Sequence, residues 1–123
     1  MLLYARALCQ LLRFQYYMLR DDFCSLHERV RKYSRAPVVA SPELREHICR
    51  AMDRLCVWYP KRVLCLQRSA ATTCLLRSYG VPAQLVIGAQ QLPFKAHAWV
   101  EVAGSVVNDK AYMPEIYTAL DRF

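Results

Sequence analysis

Hydrophobic residues keep a helical period over roughly the first two-thirds of this chain, then switch to short runs rich in Val and Ile. In "MLLYARALCQLLRFQYYMLR", Arg6, Gln10, Arg13, Tyr17 and Arg20 recur at spacings of three and four. That is one polar stripe on a helix, with Leu3, Leu8, Leu11, Leu12 and Leu19 mostly elsewhere. Helices are predicted over residues 1–20 and about 22–34, with Asp21 or Asp22 as the cap between them. "SRAPVVASP" reads as a loop. Ser41 as N-cap, Pro42 at the first helical position and Glu43 in the first turn signal a third helix. Leu44, Ile48, Ala51 or Met52, and Leu55 carry its period to about Tyr59, and Pro60 stops it. A fourth helix is expected from Cys65 to about Tyr79, with Leu66, Ala70, Thr73 or Cys74, and Arg77 on one face. Gly80 and Pro82 end it.

"AQLVIGAQ", "AHAWVEV" and "SVVNDK" then read as three strands, and "MPEIYTALDRF" as a short terminal helix. The order is α+β: N-terminal helices followed by a small antiparallel sheet. One domain is expected over 1–123, with a helical part at 1–40 and a core at 41–123. The last hairpin has two registers. A two-residue turn at Ala103-Gly104 puts Ala103 at positive φ, which is unfavourable for a residue with a Cβ. A three-residue loop asks that only of Gly104, and it pairs His97 with Asp109 directly across the hairpin. The expectation is the three-residue loop; the other register would put Asn108 on the His97 face.

Composition narrows the class. At 55% hydrophobic and 22% charged, the chain of 123 residues is a folding sequence, not a disordered one. Its net charge of +7 sits in the N-terminal half, where residues 1–62 hold twelve Lys/Arg against six Asp/Glu. An acidic protein partner, nucleic acid or simply a solvated surface would each fit that excess. The basic residues are not interleaved with aromatics, which argues against single-strand nucleic-acid binding. Three arginines in the first twenty residues argue against a spanning helix, and no apolar core with a cleavage site precedes them. Six cysteines with no Cys-x-x-Cys pair point to reduced thiols in a cytoplasmic protein, with Cys9, Cys49, Cys56 and Cys74 on apolar helix faces.

An Asp beside a His holds its tautomer and favours imidazolium, in structural pairs as well as catalytic ones. Cys65 is the candidate third partner. It is predicted at a helix start, where free N–H groups and the helix dipole favour a thiolate, with Lys61, Arg62 and Arg68 near in sequence. The alternative for Cys65 is a small buried apolar residue. Nothing in the sequence points to a metal or organic cofactor.

Residues 58–123 resemble a family. "CLQRS", "GVPA", "LVIG", "PFKAHAWVE" and the later "ND" are similar to the transglutaminase-like cysteine protease of bacterial lasso-peptide biosynthesis, the leader peptidase. Residues 1–40 carry no matching motif. The resemblance implies a transglutaminase/papain-like core with Cys65 as nucleophile, His97 as general base then acid, and Asp109 as orienting group. It implies removal of the leader from a ribosomally made precursor peptide, upstream of an ATP-dependent lasso cyclase. Without a strand-rich domain upstream, it implies the split form, which acts with a separate leader-binding protein. Phe14, Tyr16 and Tyr17 are then candidate docking residues. The Cys65 N–H is one oxyanion donor; Trp58 and Gln67 are guesses for the second. Two other classes stay open: a transglutaminase-like amidase or acyltransferase on another substrate, and a non-catalytic basic binding protein.

Overall fold

The computed structural model describes residues 2–33, 42–60, 63–91, 93–110 and 112–123. Helices α1 (Leu2–Leu19), α2 (Phe23–Lys32), α3 (Pro42–Trp58) and α4 (Cys65–Ser78) come first. Strands β1 (Ala83–Gln91), β2 (Phe94–Val102) and β3 (Ser105–Val106), the single turn α5 (Met113–Ile116) and β4 (Thr118–Arg122) complete the chain. The four strands order β3-β2-β1-β4, every pair antiparallel. The α+β class expected from the pattern is the class observed.

Helix boundaries follow local chemistry. The Asp22 carboxylate accepts from the Ser25 N–H at 3.1 Å, and hydrogen bonding by the Ser25 hydroxyl and then by this N–H lowers its pKa. Pro42 opens α3, where its missing N–H costs nothing. The cap proposed at Ser41 lies outside the described residues. At the end of α4, Gly80 takes φ +84°, and the Gly80 and Val81 N–H groups return to the Arg77 and Leu76 carbonyls.

Period-two alternation places the sheet against the helices. Ala83, Leu85 and Ile87 of β1 and Ala98, Val100 and Val102 of β2 pack with Leu11, Phe14, Met52 and Leu75 in one core. Helix α4 touches α1, α2, α3 and both central strands. It is therefore buried on nearly all sides from Ser69 to Leu76, not amphipathic as its spacing suggested. Its hydroxyls are satisfied locally: Thr72 Oγ1 donates to the Arg68 carbonyl at 2.7 Å and Thr73 Oγ1 to that of Ser69 at 2.8 Å. The Arg77 guanidinium, largely withdrawn from water, donates to the carbonyls of Val30, Tyr33, Ala83 and Phe123. It joins α2, β1 and the last residue to α4, and burial lowers its pKa.

Three expectations are corrected. The polar stripe of α1 is not its outer face: Ala7, Gln10, Leu11 and Phe14 are buried, while Leu8, Leu12, Tyr16 and Leu19 are exposed. Tertiary contact decides this, because Gln67 of α4 reaches across to donate to the Leu11 carbonyl and the Gln15 side chain, each at 3.1 Å. Cys9 is consequently exposed, and Phe14 belongs to the core, not to a docking surface. The terminal segment is a helix only for one turn. It then pairs with the free edge of β1, where Leu85 and Phe123 exchange backbone bonds of 2.9 and 3.2 Å. The partner strand, not the pattern of "TALDR", supplies that ladder.

The hairpin register is the third. Val102 pairs with Ser105 and Glu101 with Val106, so the turn has two residues, Ala103 at φ +51° and Gly104 at φ +80°. The geometry is a type I′ turn, whose twist matches the flanking strands and offsets the modest cost of a left-handed alanine. Among the described residues, no helix is long and apolar enough to cross a membrane.

Candidate active site

Cys65 is the first residue of α4 and is exposed. Its N-cap, Leu64, has extended backbone and no side chain that can accept a hydrogen bond. The first-turn N–H groups therefore receive no side-chain cap from Leu64 and lie in the field of the helix dipole. This is the setting the sequence suggested for a thiolate. Lys61 and Arg62 lie outside the described residues. The Arg68 guanidinium is engaged by the Asp53 carboxylate of α3 and by the Asn108 carbonyl, the latter at 3.2 Å.

Other thiols differ in environment. Burial is the main cause that pushes Cys49 and Cys74 up to about 11, and it raises Cys56 as well. Cys9 and Cys24 are exposed on α1 and α2.

His97 and Asp109 meet, but not through a ladder. Strand β3 ends opposite Glu101, and one further backbone bond, Val107 N–H to the Val100 carbonyl at 3.0 Å, closes the pairing. Beyond it the chain bends, and no further ladder pair is formed among the described residues. The Asn108 side chain takes over: its Oδ1 accepts from the Val100 N–H at 2.7 Å and its Nδ2 donates to Ser69 Oγ at 3.1 Å. Asp109 then follows alongside β2, and its Oδ2 lies 2.6 Å from His97 Nε2. A carboxylate can only accept, so Nε2 carries the hydrogen and Nδ1 is the ring nitrogen left to face another group.

His97 points from the face of β2 opposite Ala98 and Val100, the residues that the helices cover. On that face it stacks on Tyr117 and Trp99, with centroids 5.4 and 6.3 Å away. The buried Trp99 indole donates from Nε1 to Glu101 Oε2 at 2.8 Å, and Glu101 Oε1 lies 3.5 Å from Arg122. Among the described residues no strand pairs with β2 beside His97 on the β3 side. Ser69, one turn after Cys65, donates to the Ala98 carbonyl at 3.0 Å, which brings the start of α4 to the strand segment next to His97. Among the described residues no hydrogen bond joins Cys65 to His97.

Of the oxyanion guesses, Gln67 is 1% exposed and its side-chain amide is bonded to α1. Trp58 ends α3. Tyr117 and Ser69 were not singled out from the sequence. Ser69 sits in the "CLQRS" motif one turn from Cys65, a spacing that could have marked it. Tyr117 had no such signal, since the tail was read as helix. Among the described residues no cluster of His, Cys, Asp and Glu could hold a metal ion.

The sequence profile of the transglutaminase-like superfamily matches residues 6–122. The chain is also 47% identical over 49 residues to the microcin J25-processing protein McjB of Escherichia coli. That stretch is 40% of this chain and 24% of McjB's length. No solved structure matches the chain.

Proposed function

The chain belongs to the transglutaminase-like superfamily, and from that membership we propose that it is a cysteine peptidase of lasso-peptide maturation, cleaving a precursor between leader and core. Similarity to a microcin-processing protein supports the pathway. The observation that carries the chemistry is the 2.6 Å contact between His97 and Asp109, formed where β3 has already ended. A carboxylate brought to an imidazole by a departure from the ladder, next to the start of α4, is the arrangement nucleophilic catalysis needs.

Cys65 acts as nucleophile, His97 as base then acid, and Asp109 as the group that fixes the ring. The Ser69 bond to the Ala98 carbonyl holds the first turns of α4 beside the strand segment that carries His97, which is where thiol and ring would meet. The thiolate attacks the carbonyl carbon at the junction, forming a C–S bond. The C–N bond breaks as His97 gives its proton to the departing amine. Water, deprotonated by His97, then splits the thioester and restores the thiol. First-turn N–H groups of α4, that of Cys65 among them, stabilise the oxyanion. The peptidase works in the cytoplasm with a separate leader-binding protein and ahead of an ATP-dependent cyclase. The exposed Leu8, Leu12, Tyr16 and Leu19 on α1 support a protein contact there.

Mass spectrometry of a precursor peptide incubated with the protein and its leader-binding neighbour tests this. Leader removal by the native protein and none by Cys65→Ala is expected. Cleavage that survives Cys65→Ala would overturn the nucleophile. No cleavage by either, with the precursor shown to be bound, would favour a transglutaminase-like acyl transfer on another substrate.

A further inference from the structure

We propose that Asn108 is a positioning residue that sets the start of α4, and with it the Cys65 thiol, against the strand carrying His97. The inference rests on Cys65 and His97 as nucleophile and base.

The Asn108 amide lies between two elements, β2 and α4. Its Oδ1 replaces a strand carbonyl by accepting from the Val100 N–H of β2, at 2.7 Å. Its Nδ2 donates to Ser69 Oγ of α4 at 3.1 Å, and Ser69 passes its own hydrogen to the Ala98 carbonyl at 3.0 Å. The Asn108 carbonyl accepts from Arg68 at 3.2 Å. Three of the participants lie close in sequence to a proposed catalytic residue. Asn108 precedes Asp109, Ala98 follows His97, and Ser69 lies one turn, roughly 6 Å of rise, beyond Cys65.

The direction of the bonds dictates an amide. Ser69 has a single hydroxyl hydrogen, which goes to Ala98, so its oxygen is left to accept. Position 108 must accept from Val100 and donate to Ser69 at once. A carboxylate of the same shape can accept from Val100 but cannot donate to Ser69. Either Asn108 keeps its donor or Ser69 turns its hydrogen and releases β2. The consequence is a loss of alignment between thiol and ring, and a misplacement of about 1 Å is enough to cost about a hundredfold in a catalytic step.

Alkylation of Cys65 reads this without any peptide substrate. The protein is treated with iodoacetamide from about pH 5 to about pH 9, spanning ordinary imidazole and thiol titrations. Each cysteine is followed separately by peptide mass spectrometry, with Cys9 as internal reference and circular dichroism as the check on folding. The native protein should alkylate Cys65 faster than His97→Ala does across the mildly acidic range. Asn108→Asp and Ser69→Ala are expected to move the Cys65 profile to that of His97→Ala, with the rate near pH 6 down at least about tenfold. The double variant should be no worse than the worse single, because both act through one contact. The Cys9 rate should not change. A folded Asn108→Asp or Ser69→Ala protein with the native Cys65 profile, while His97→Ala loses it, would overturn the positioning role. Identical profiles for native and His97→Ala would instead overturn the catalytic pair on which it rests. Asn108→Asp preserves shape and Ser69→Ala removes one oxygen, so failure of one variant to fold leaves the other to decide.

Discussion

The Tyr117 ring lies over the His97 imidazole, with centroids 5.4 Å apart and planes 27° from parallel. Trp99 approaches the same imidazole at 6.3 Å. Aromatic contact of this kind is worth about 0.5–1.5 kcal/mol beyond burial, or roughly a 2- to 12-fold effect if it is used to hold the ring. Tyr117→Leu should therefore lower the turnover of precursor cleavage by about that factor, and Tyr117→Phe should stay near native. Initial rates at saturating precursor check both; a native rate for Tyr117→Leu would show that the stack is incidental to His97.

Asp109→Asn replaces the carboxylate that His97 Nε2 meets at 2.6 Å. The amide can present its NH₂ to the ring and select the wrong tautomer. Turnover should fall by at least about 10²-fold while KM changes little, as measured by steady-state cleavage of the precursor. Unchanged turnover would remove Asp109 from the mechanism.

Gly88 sits opposite His97 in the β1–β2 ladder, beneath the Trp99 indole. A Cβ there would fall 2.6 Å from Trp99 Cη2, 2.8 Å from Cζ3 and 3.0 Å from Tyr117 Cβ. The indole is rigid and fully buried, so it has nowhere to move. Gly88→Ala should cost about 1–3 kcal/mol. Urea denaturation with an unchanged slope and a lower midpoint would show it.

Cys49 and Cys74 are both pushed up to about 11 from an ordinary value of 9.0, chiefly by burial. The folded state keeps these protons longer than the unfolded chain does. Their contribution to stability is therefore complete below pH 9.0 and is lost as pH rises towards about 11. The denaturation midpoint should fall across that interval, and fall less in Cys74→Ala measured relative to its own value at neutral pH. At mildly alkaline pH iodoacetamide should label Cys9, Cys24 and Cys65 well before Cys49 and Cys74, which a mass count of adducts would reveal.

Arg77→Met keeps most of the apolar stem of a guanidinium that serves four carbonyls. Hydrogen bonds from charged donors are worth about 1.5–3 kcal/mol each, and some of these carbonyls would regain water. A net loss of about 3 kcal/mol is expected, read as a lower thermal midpoint. A shift within error would mean that water replaces the guanidinium at little cost.

Much of this was legible in the chain. Caps and prolines marked the helices at Asp22, Pro42 and Gly80, because those signals act within a few residues. Cys65, His97 and Asp109 could be singled out from helix-start chemistry and hairpin spacing. What escaped was decided by partners distant in sequence. The tail became β4 because β1 had an edge to fill. Gln10 was buried because α4 lies on that side of α1. The contact between His97 and Asp109 was anticipated for a reason that proved wrong. The ladder that was to pair them ends two residues into β3, and the side-chain bonds of Asn108 accompany the approach instead. Register was misjudged at Ala103 because local strain in one residue was weighed above the twist of two strands.

The two tryptophans sit at opposite extremes, Trp58 84% exposed and Trp99 0% exposed beside His97. Imidazolium quenches indole emission more strongly than neutral imidazole does. A Trp58→Phe protein would thus emit from Trp99 alone, and its brightness against pH would record the charge on His97 directly. The fold has placed a fluorophore against His97, so the protonation of the candidate site can be followed in solution before any substrate is in hand.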